Sequence, residues 1–312
     1  MPGMKLIAVV VMALGLIAAP RTAVAAGCAW TVTELPAPAG YSHASTTAHA
    51  GAGLVVGTVW KTDHREGVVW RDGVPRVLPT PPGKGAGSNY PAAVNASGVI
   101  AGRWAGNDGS HTAWRYADGV YQFLPGRGSW VSVPTDINRA GDVAGFSRLF
   151  FGGAQVNTLR WPVDAPGGYV DLGEASPRGI DDAGRVVLST GRVVNADGTS
   201  WQLQGGLPSA YEDGRIVGYQ GAASPYTIVE WDLTGRIVRR VPDGIPTGMN
   251  AAGAIVGVHT AGTVAVWHNG GVEHVTSPAP ARSHVLDITD DNAIVSDYRV
   301  SSATRSGLWR CV

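Results

Sequence analysis

The chain has 312 residues and sets 24 basic side chains against 24 acidic ones, so no net charge steers it toward nucleic acid or an anionic membrane, and a polyanionic partner is disfavoured. Gly 44, Pro 20 and Trp 11, beside only 15% charged residues, describe a turn-rich chain of many short strands.

From the N-terminus, residues 1–25 read as a secretory signal. Lys5 supplies the positive start, Leu6 to Ala19 the apolar stretch, and Ala23-Val24-Ala25 an A-x-A cleavage site. The apolar run is short for a membrane span, and no later segment is long enough for one. An uncleaved anchor is the alternative. Ala25-Ala26-Gly27-Cys28 also resembles a lipoprotein box, which would place a lipid on Cys28, although Ala25 stands where that box usually has leucine. Cys28 and Cys311 are the two cysteines, and in an exported protein such a pair is read as a disulfide.

Residues 26–312 are expected to form a single domain built on a repeat. A tight-turn residue recurs as Gly53, Gly98, Gly141, Gly184, Gly214, Gly253 and Asn292. Glycine and asparagine tolerate the left-handed conformation that a three-residue hairpin loop requires. Asn95, Asn138, Asp181 and Asn250 stand three residues earlier, where an Asx side chain caps its own backbone. Each turn leads into an aliphatic run such as Val99-Ile100-Ala101, and Gly57, Gly102, Gly145, Gly218 and Gly257 close five of these runs, as expected where a neighbouring sheet approaches.

A tryptophan follows in every copy, at 70, 114, 161, 201, 231, 267 and 309, and this regularity marks core packing between stacked sheets. Hairpin signals Asp72-Gly73, Asp118-Gly119 and Asn269-Gly270 come next, then a last strand ending in Leu78-Pro79 or Leu124-Pro125. Pro91, Pro134, Pro177 and Pro246 open the strand before the next turn, which makes that strand an edge. Four antiparallel strands per unit at a period of roughly 40 residues describe an all-β, seven-bladed β-propeller. The short spacing between Gly184 and Gly214 leaves six or eight blades as alternatives.

The last copy stops at its third strand, Leu308-Trp309-Arg310-Cys311-Val312, while Trp30-Thr31-Val32-Thr33-Glu34-Leu35-Pro36 has the form of a fourth strand with no first three before it. The N-terminal strand is therefore expected to close the last blade. Matching Leu35 to Leu124 and Trp309 to Trp114 sets Cys28 opposite Ala117 and Cys311 opposite Tyr116, so a disulfide there would stand in for a hairpin.

The phrases Val94-Asn95-Ala96-Ser97-Gly98-Val99-Ile100-Ala101-Gly102, Ile137-Asn138-Arg139-Ala140-Gly141-Asp142-Val143-Ala144-Gly145 and Met249-Asn250-Ala251-Ala252-Gly253-Ala254-Ile255-Val256-Gly257 resemble the core of the bacterial extracellular HAF-repeat family. His111-Thr112-Ala113-Trp114 is similar to that family's tryptophan element, with no copy keeping His-Ala-Phe intact. The resemblance implies secretion and a propeller-like fold, and it carries no enzymatic assignment.

No G-x-S-x-G, H-E-x-x-H, C-x-x-C or G-x-x-x-x-G-K motif is present. His43, His49, His259, His268, His274 and His284 belong to blades that adjoin after closure, where converging imidazoles would suit a transition metal; dispersed surface histidines are the plainer reading. Asp287, Asp290 and Asp291 read as a solvated turn rather than a calcium loop, since EF-hand spacing is absent. No cofactor and no metal is expected.

Polar residues on the innermost strands include Asp136, Arg178, His284 and Asp287, which would face the central channel and could grip a small polar or anionic ligand. Phe146 to Gly153 is an aromatic loop whose Phe150 and Phe151 suit a partner or a lid, and Trp60, Trp104 and Trp130 lie outside the tryptophan register, where they would stack on a sugar or peptide. The sequence thus points to a secreted, monomeric, non-enzymatic propeller binding an extracellular protein, peptide or glycan through its loop face. A polysaccharide hydrolase or lyase with a channel site is the alternative, to be recognised by a carboxylate meeting another carboxylate, His or Arg across blades.

Overall fold

The computed structural model describes residues 29–128, 131–148, 156–212, 214–268, 270–275, 287–301 and 303–312. They form seven four-stranded antiparallel sheets. Blade 1 runs Ala44–His49, Leu54–Trp60, Arg65–Arg71 and Val74–Val77, innermost strand first. Blades 2 to 6 begin at Gly87, Val131, Pro177, Leu207 and Gly244 and repeat the order. Blade 7 takes Asp287–Ile288, Ile294–Val300 and Ala303–Cys311 from the C-terminus and Trp30–Leu35 as its outermost strand. The closing register pairs Trp30 with Cys311, Val32 with Trp309 and Leu35 with Ser306. The ring therefore closes as the orphan N-terminal strand requires.

The prolines sit where the inner strands must leave regular pairing. A β-bulge follows Pro91, Pro134, Pro177 and Pro246, and also Pro208, which the repeat alignment passes over. Proline donates no N–H to the ladder, so the innermost edge loses nothing by carrying it. The bulge pushes the carbonyl of the preceding residue toward the second strand. A Cβ added at Gly57 or Gly218 would lie 2.0 Å from the carbonyl oxygen of Ser45 or Leu207. These glycines thus answer to the partner strand of their own blade rather than to a neighbouring sheet.

The tryptophan register holds in five copies and fails in two. Trp70, Trp161, Trp231, Trp267 and Trp309 each pair with the first or second residue of their blade's second strand. In blade 2 that place belongs to Tyr116, opposite Ile100, and Trp114 lies two residues earlier opposite Gly102. Trp201 sits on the outermost strand of blade 4, whose third strand carries Val194 at the site. Structural equivalence accordingly sets Trp309 against Tyr116 and Cys311 against Asp118, two residues on from the sequence match.

The registered tryptophans also tie blades together. Trp70, Trp161 and Trp231 donate their indole N–H to the carbonyls of Pro36, Pro125 and Gln204, just past the last strand of the preceding blade, at 2.8, 2.8 and 3.0 Å. Displaced Trp114 makes no such bond, and the Tyr121 hydroxyl reaches the Pro79 carbonyl at 2.8 Å instead.

On the opposite face the Asx turns form a second set of links. Asn95 caps its own turn through Oδ1 and donates Nδ2–H to the Asn138 carbonyl of the next blade at 2.9 Å. Asn138 repeats this toward Asp181, and Asn250 toward Thr289. Gly98, Gly141, Gly184, Gly214, Gly253 and Asn292 have the expected positive φ. Blade 1 differs, because its left-handed residue is Gly51 (φ 79°) and Gly53 lies against Asp72.

Candidate functional site

The inner strands bring two carboxylates to one level of the channel. Asp136 pairs with Ala144 and Asp287 with Val295, the same register position in blades 3 and 7, where the other blades carry Ala48, Ala93, Gly179, Ala210 and Gly248. Asp136 accepts the N–H of Ile137 at 2.8 Å through one oxygen and that of Ile180, in the next blade, at 2.8 Å through the other. Asp287 accepts the Ile288 N–H at 2.9 Å, and its second oxygen lies 3.3 Å from His49 Nε2 in blade 1. His49 Nδ1 accepts the Gly51 N–H, which leaves the ring proton of the neutral imidazole on Nε2, facing Asp287. That contact has ion-pair distance without the alignment of a hydrogen bond.

Small residues beside these carboxylates make room for them. A Cβ at Gly248 would sit 1.9 Å from Asp287 Oδ1, and one at Gly179 would sit 3.2 Å from Asp136 Oδ2. Burial pushes the Asp136 carboxyl up to about 7 against the pull of its two backbone donors, and the charge of Asp287 adds to the rise.

Nearer the loop face, the bulges of blades 4, 5 and 6 present Arg178, Ser209 and Thr247. With Ser189, Leu207 and Tyr219 they line an open cavity of about 290 Å³. A guanidinium beside hydroxyls suits a polar or anionic ligand.

The remaining candidates separate. Trp104 is 5% exposed, packed in the core between blades 1 and 2 and against Gly87, so it is not available to stack on a ligand. Trp60 is half-buried, and its ring already carries His43, stacked at 4.2 Å, and the Arg65 guanidinium at 4.5 Å. Trp130, Phe150, Phe151 and His284 lie outside the described residues, as do the signal segment and Cys28.

His43 stacks on the ring of Trp60, His49 meets Asp287, His268 pairs with Glu273, and His274 bonds Thr263 and packs edge-on against His259 at 4.8 Å. Among the described residues no group of three His, Cys, Asp or Glu side chains is placed to hold a metal ion. Asp290 caps the Ala251 N–H of blade 6 and Asp291 engages Thr289 and Arg310, so the aspartates after Asp287 serve blade contacts.

Sequence reasoning singled out Asp136, Arg178 and Asp287 by their places on inner strands. It did not find Arg65, Tyr90 and Arg103, which form a stack on the same face: Arg65 lies 5.8 Å and Arg103 4.6 Å from the Tyr90 ring. These three stand on different strands with no recurring spacing, so no pattern in the chain marks them.

No family model matches the chain, and no curated protein matches it in sequence. Solved structures do resemble it. An oligogalacturonate lyase in complex with manganese superposes with a TM-score of 0.64 at 15% identity, covering 90% of this chain and 93% of its own. The oligogalacturonate lyase of Vibrio parahaemolyticus gives 0.61 at 8% identity, with 91% and 97% covered. A streptogramin B lyase gives 0.56 at 12%, with 91% and 98% covered. At such identities the likeness is one of fold.

Proposed function

We propose that this chain is a secreted β-propeller of the HAF-repeat type that binds an extracellular protein, peptide or glycan on its loop face. The observation that carries the reading is a contrast along the channel. Asp136 spends both oxygens on backbone N–H groups and Asp287 faces Ile288 N and His49, so the groups able to move protons are engaged inside the protein. At the loop-face mouth, Arg178 and Ser209 open onto a cavity. A glycan and peptide array probed with the mature protein tests this, and activity on a polysaccharide panel without any binder would reverse it.

One observation favours the second reading, an extracellular polysaccharide hydrolase or lyase. His49 and Asp287 meet across the joint of blades 1 and 7, and Asp136 lies within electrostatic reach of Asp287. Lyases are among the proteins of similar fold, which supports this reading at the level of fold alone.

Export also underlies a Cys28–Cys311 disulfide, supported by the closing register. Trp30 pairs with Cys311, and the Val312 N–H bonds the Ala29 carbonyl at 3.1 Å, so the residue that follows Cys28 in sequence lies at the end of the strand that holds Cys311. Peptide mapping under non-reducing conditions should recover the two cysteines in one linked peptide. A lipid-modified Cys28 would overturn both the disulfide and release from the cell.

A further inference from the structure

The loop face carries a run of alternating rings and cations that crosses from blade 1 to blade 2. His43 stacks on Trp60, Arg65 lies over Trp60 and toward Tyr90, Arg103 lies over Tyr90, and Arg103 Nη1 is 2.9 Å from His111 Nδ1. Arg148, exposed at the end of a blade 3 strand, adds a third cation: the groups whose charge bears on Arg103 are Tyr90, Arg148 and Arg65, and no carboxylate is among them. Among the described residues neither Arg65, Arg103 nor Arg148 forms an ion pair with Asp or Glu. The adjoining segments 129–130 and 149–155 contain no acidic residue by sequence.

Three guanidiniums held near one another without a counter-charge repel, and the half-buried one also loses hydration. The rings beneath Arg65 and Arg103 offset part of that cost through cation–π attraction, which holds the groups in place without neutralising them. A fixed, uncompensated set of planar bidentate donors is complementary to carboxylate, sulfate or phosphate oxygens. The zero net charge of the chain conceals this: on the loop face Glu66 pairs with Lys61 and His64, and Asp63 with His64, while the connections of the opposite face bring Asp72, Asp118, Asp142, Asp164, Asp197 and Asp232.

Resting on the loop-face reading above, we infer that the ligand is an acidic oligosaccharide, with Arg65 and Arg103 holding its anionic groups. A saccharide is favoured over a free anion because aromatic rings alternate with the cations, and a chain of acidic sugars can meet both. The hydroxyls of Ser209 and Thr247 and the Tyr219 ring at the cavity beside Arg178 also suit sugar hydroxyls and ring faces.

Calorimetric titration of the full mature protein with oligogalacturonate, with a neutral oligosaccharide of the same length, and with inorganic phosphate separates the possibilities. Oligogalacturonate should bind, weaken with added salt, and weaken at least about tenfold in Arg65→Gln and Arg103→Gln. Arg65 is exposed, so its variant keeps the test valid if Arg103→Gln unfolds. Binding unchanged in both variants, or equal binding of the neutral oligosaccharide, overturns the acidic-glycan inference and leaves loop-face binding standing. Phosphate binding as tightly as the oligomer also overturns it. Release of an unsaturated uronate product would sink the non-enzymatic reading while leaving the ligand class intact.

Discussion

The Tyr211 hydroxyl donates to Asp181 Oδ2 at 2.5 Å, from blade 5 back to blade 4. Elsewhere the side-chain amide of an Asx turn points forward, as Asn138 does toward the Asp181 carbonyl. Asp181 has no N–H to give, so the next link must come from its neighbour, and the Arg185 guanidinium shares the same oxygen. Between blades 5 and 6 Arg215 and Arg239 take over, reaching the Ala251 and Gly253 carbonyls while both pair with the buried Glu230. Tyr211→Phe should therefore lower stability by about 1.5–3 kcal/mol, the range for a hydrogen bond to a charged group. Asp181→Asn should cost less when combined with Tyr211→Phe than alone, as a double-mutant cycle by urea unfolding would show.

Closure depends on a buried carboxylate. Asp297, on the second strand of blade 7, accepts from the hydroxyls of Ser45, Thr46 and Ser306 and from the Thr46 backbone N–H at 2.9 Å. Two of these partners belong to blade 1, so the interaction spans the joint where the chain ends meet. Removing it strands several donors at once. Asp297→Ala should cost about 3 kcal/mol or more, with hydrogen exchange rising first in Trp30–Leu35 and Ala44–His49.

Asp136 makes stability fall with rising pH. Its carboxyl titrates near 7 in the fold, against 3.8 as the ordinary value, so between those limits the folded chain holds a proton that the unfolded chain has released. The contribution is complete below 3.8, is lost as pH rises to about 7, and stays flat above. The loss is on the order of 4 kcal/mol, and the difference in unfolding free energy between wild type and Asp136→Asn should follow that window. A difference independent of pH would show that Asp136 ionises normally.

The inner-strand bulges predict that the second-strand glycines are intolerant. Gly218→Ala would put a methyl group 2.0 Å from the Leu207 carbonyl oxygen, a backbone atom that cannot swing aside. A cost of about 2–4 kcal/mol is expected from overpacking of this kind. The same change at Gly73, where a Cβ meets nothing within 4 Å, carries only the strain of a positive φ.

The architecture was legible because most blades repeat the same physical devices: an Asx turn, a short buried strand, a buried ring and a proline at the channel edge. The unmatched Leu35-Pro36 then located the closing strand. The misreadings came from substitutions that preserve a device by other residues. Blade 2 is the clearest repeat to the eye, yet its Trp114 is displaced by two, with Tyr116 and Tyr121 filling its roles. Trp201 has the spacing of a registered tryptophan but lies on another strand, because blade 4 is cut short. Asp136 and Asp287 were visible as polar interruptions of inner strands. The Arg65, Tyr90 and Arg103 stack was not, since it is assembled only when separate blades pack.

The loop-face account is tested most directly by hydrogen exchange of the mature protein with and without the strongest binder from the glycan and peptide array. Protection is predicted in the loop-face segments around Arg65, Arg103 to His111, Arg178 and Leu207 to Ser209. Protection confined instead to the Asx turns around Asn95, Asn138, Asp181 and Asn250 would contradict it.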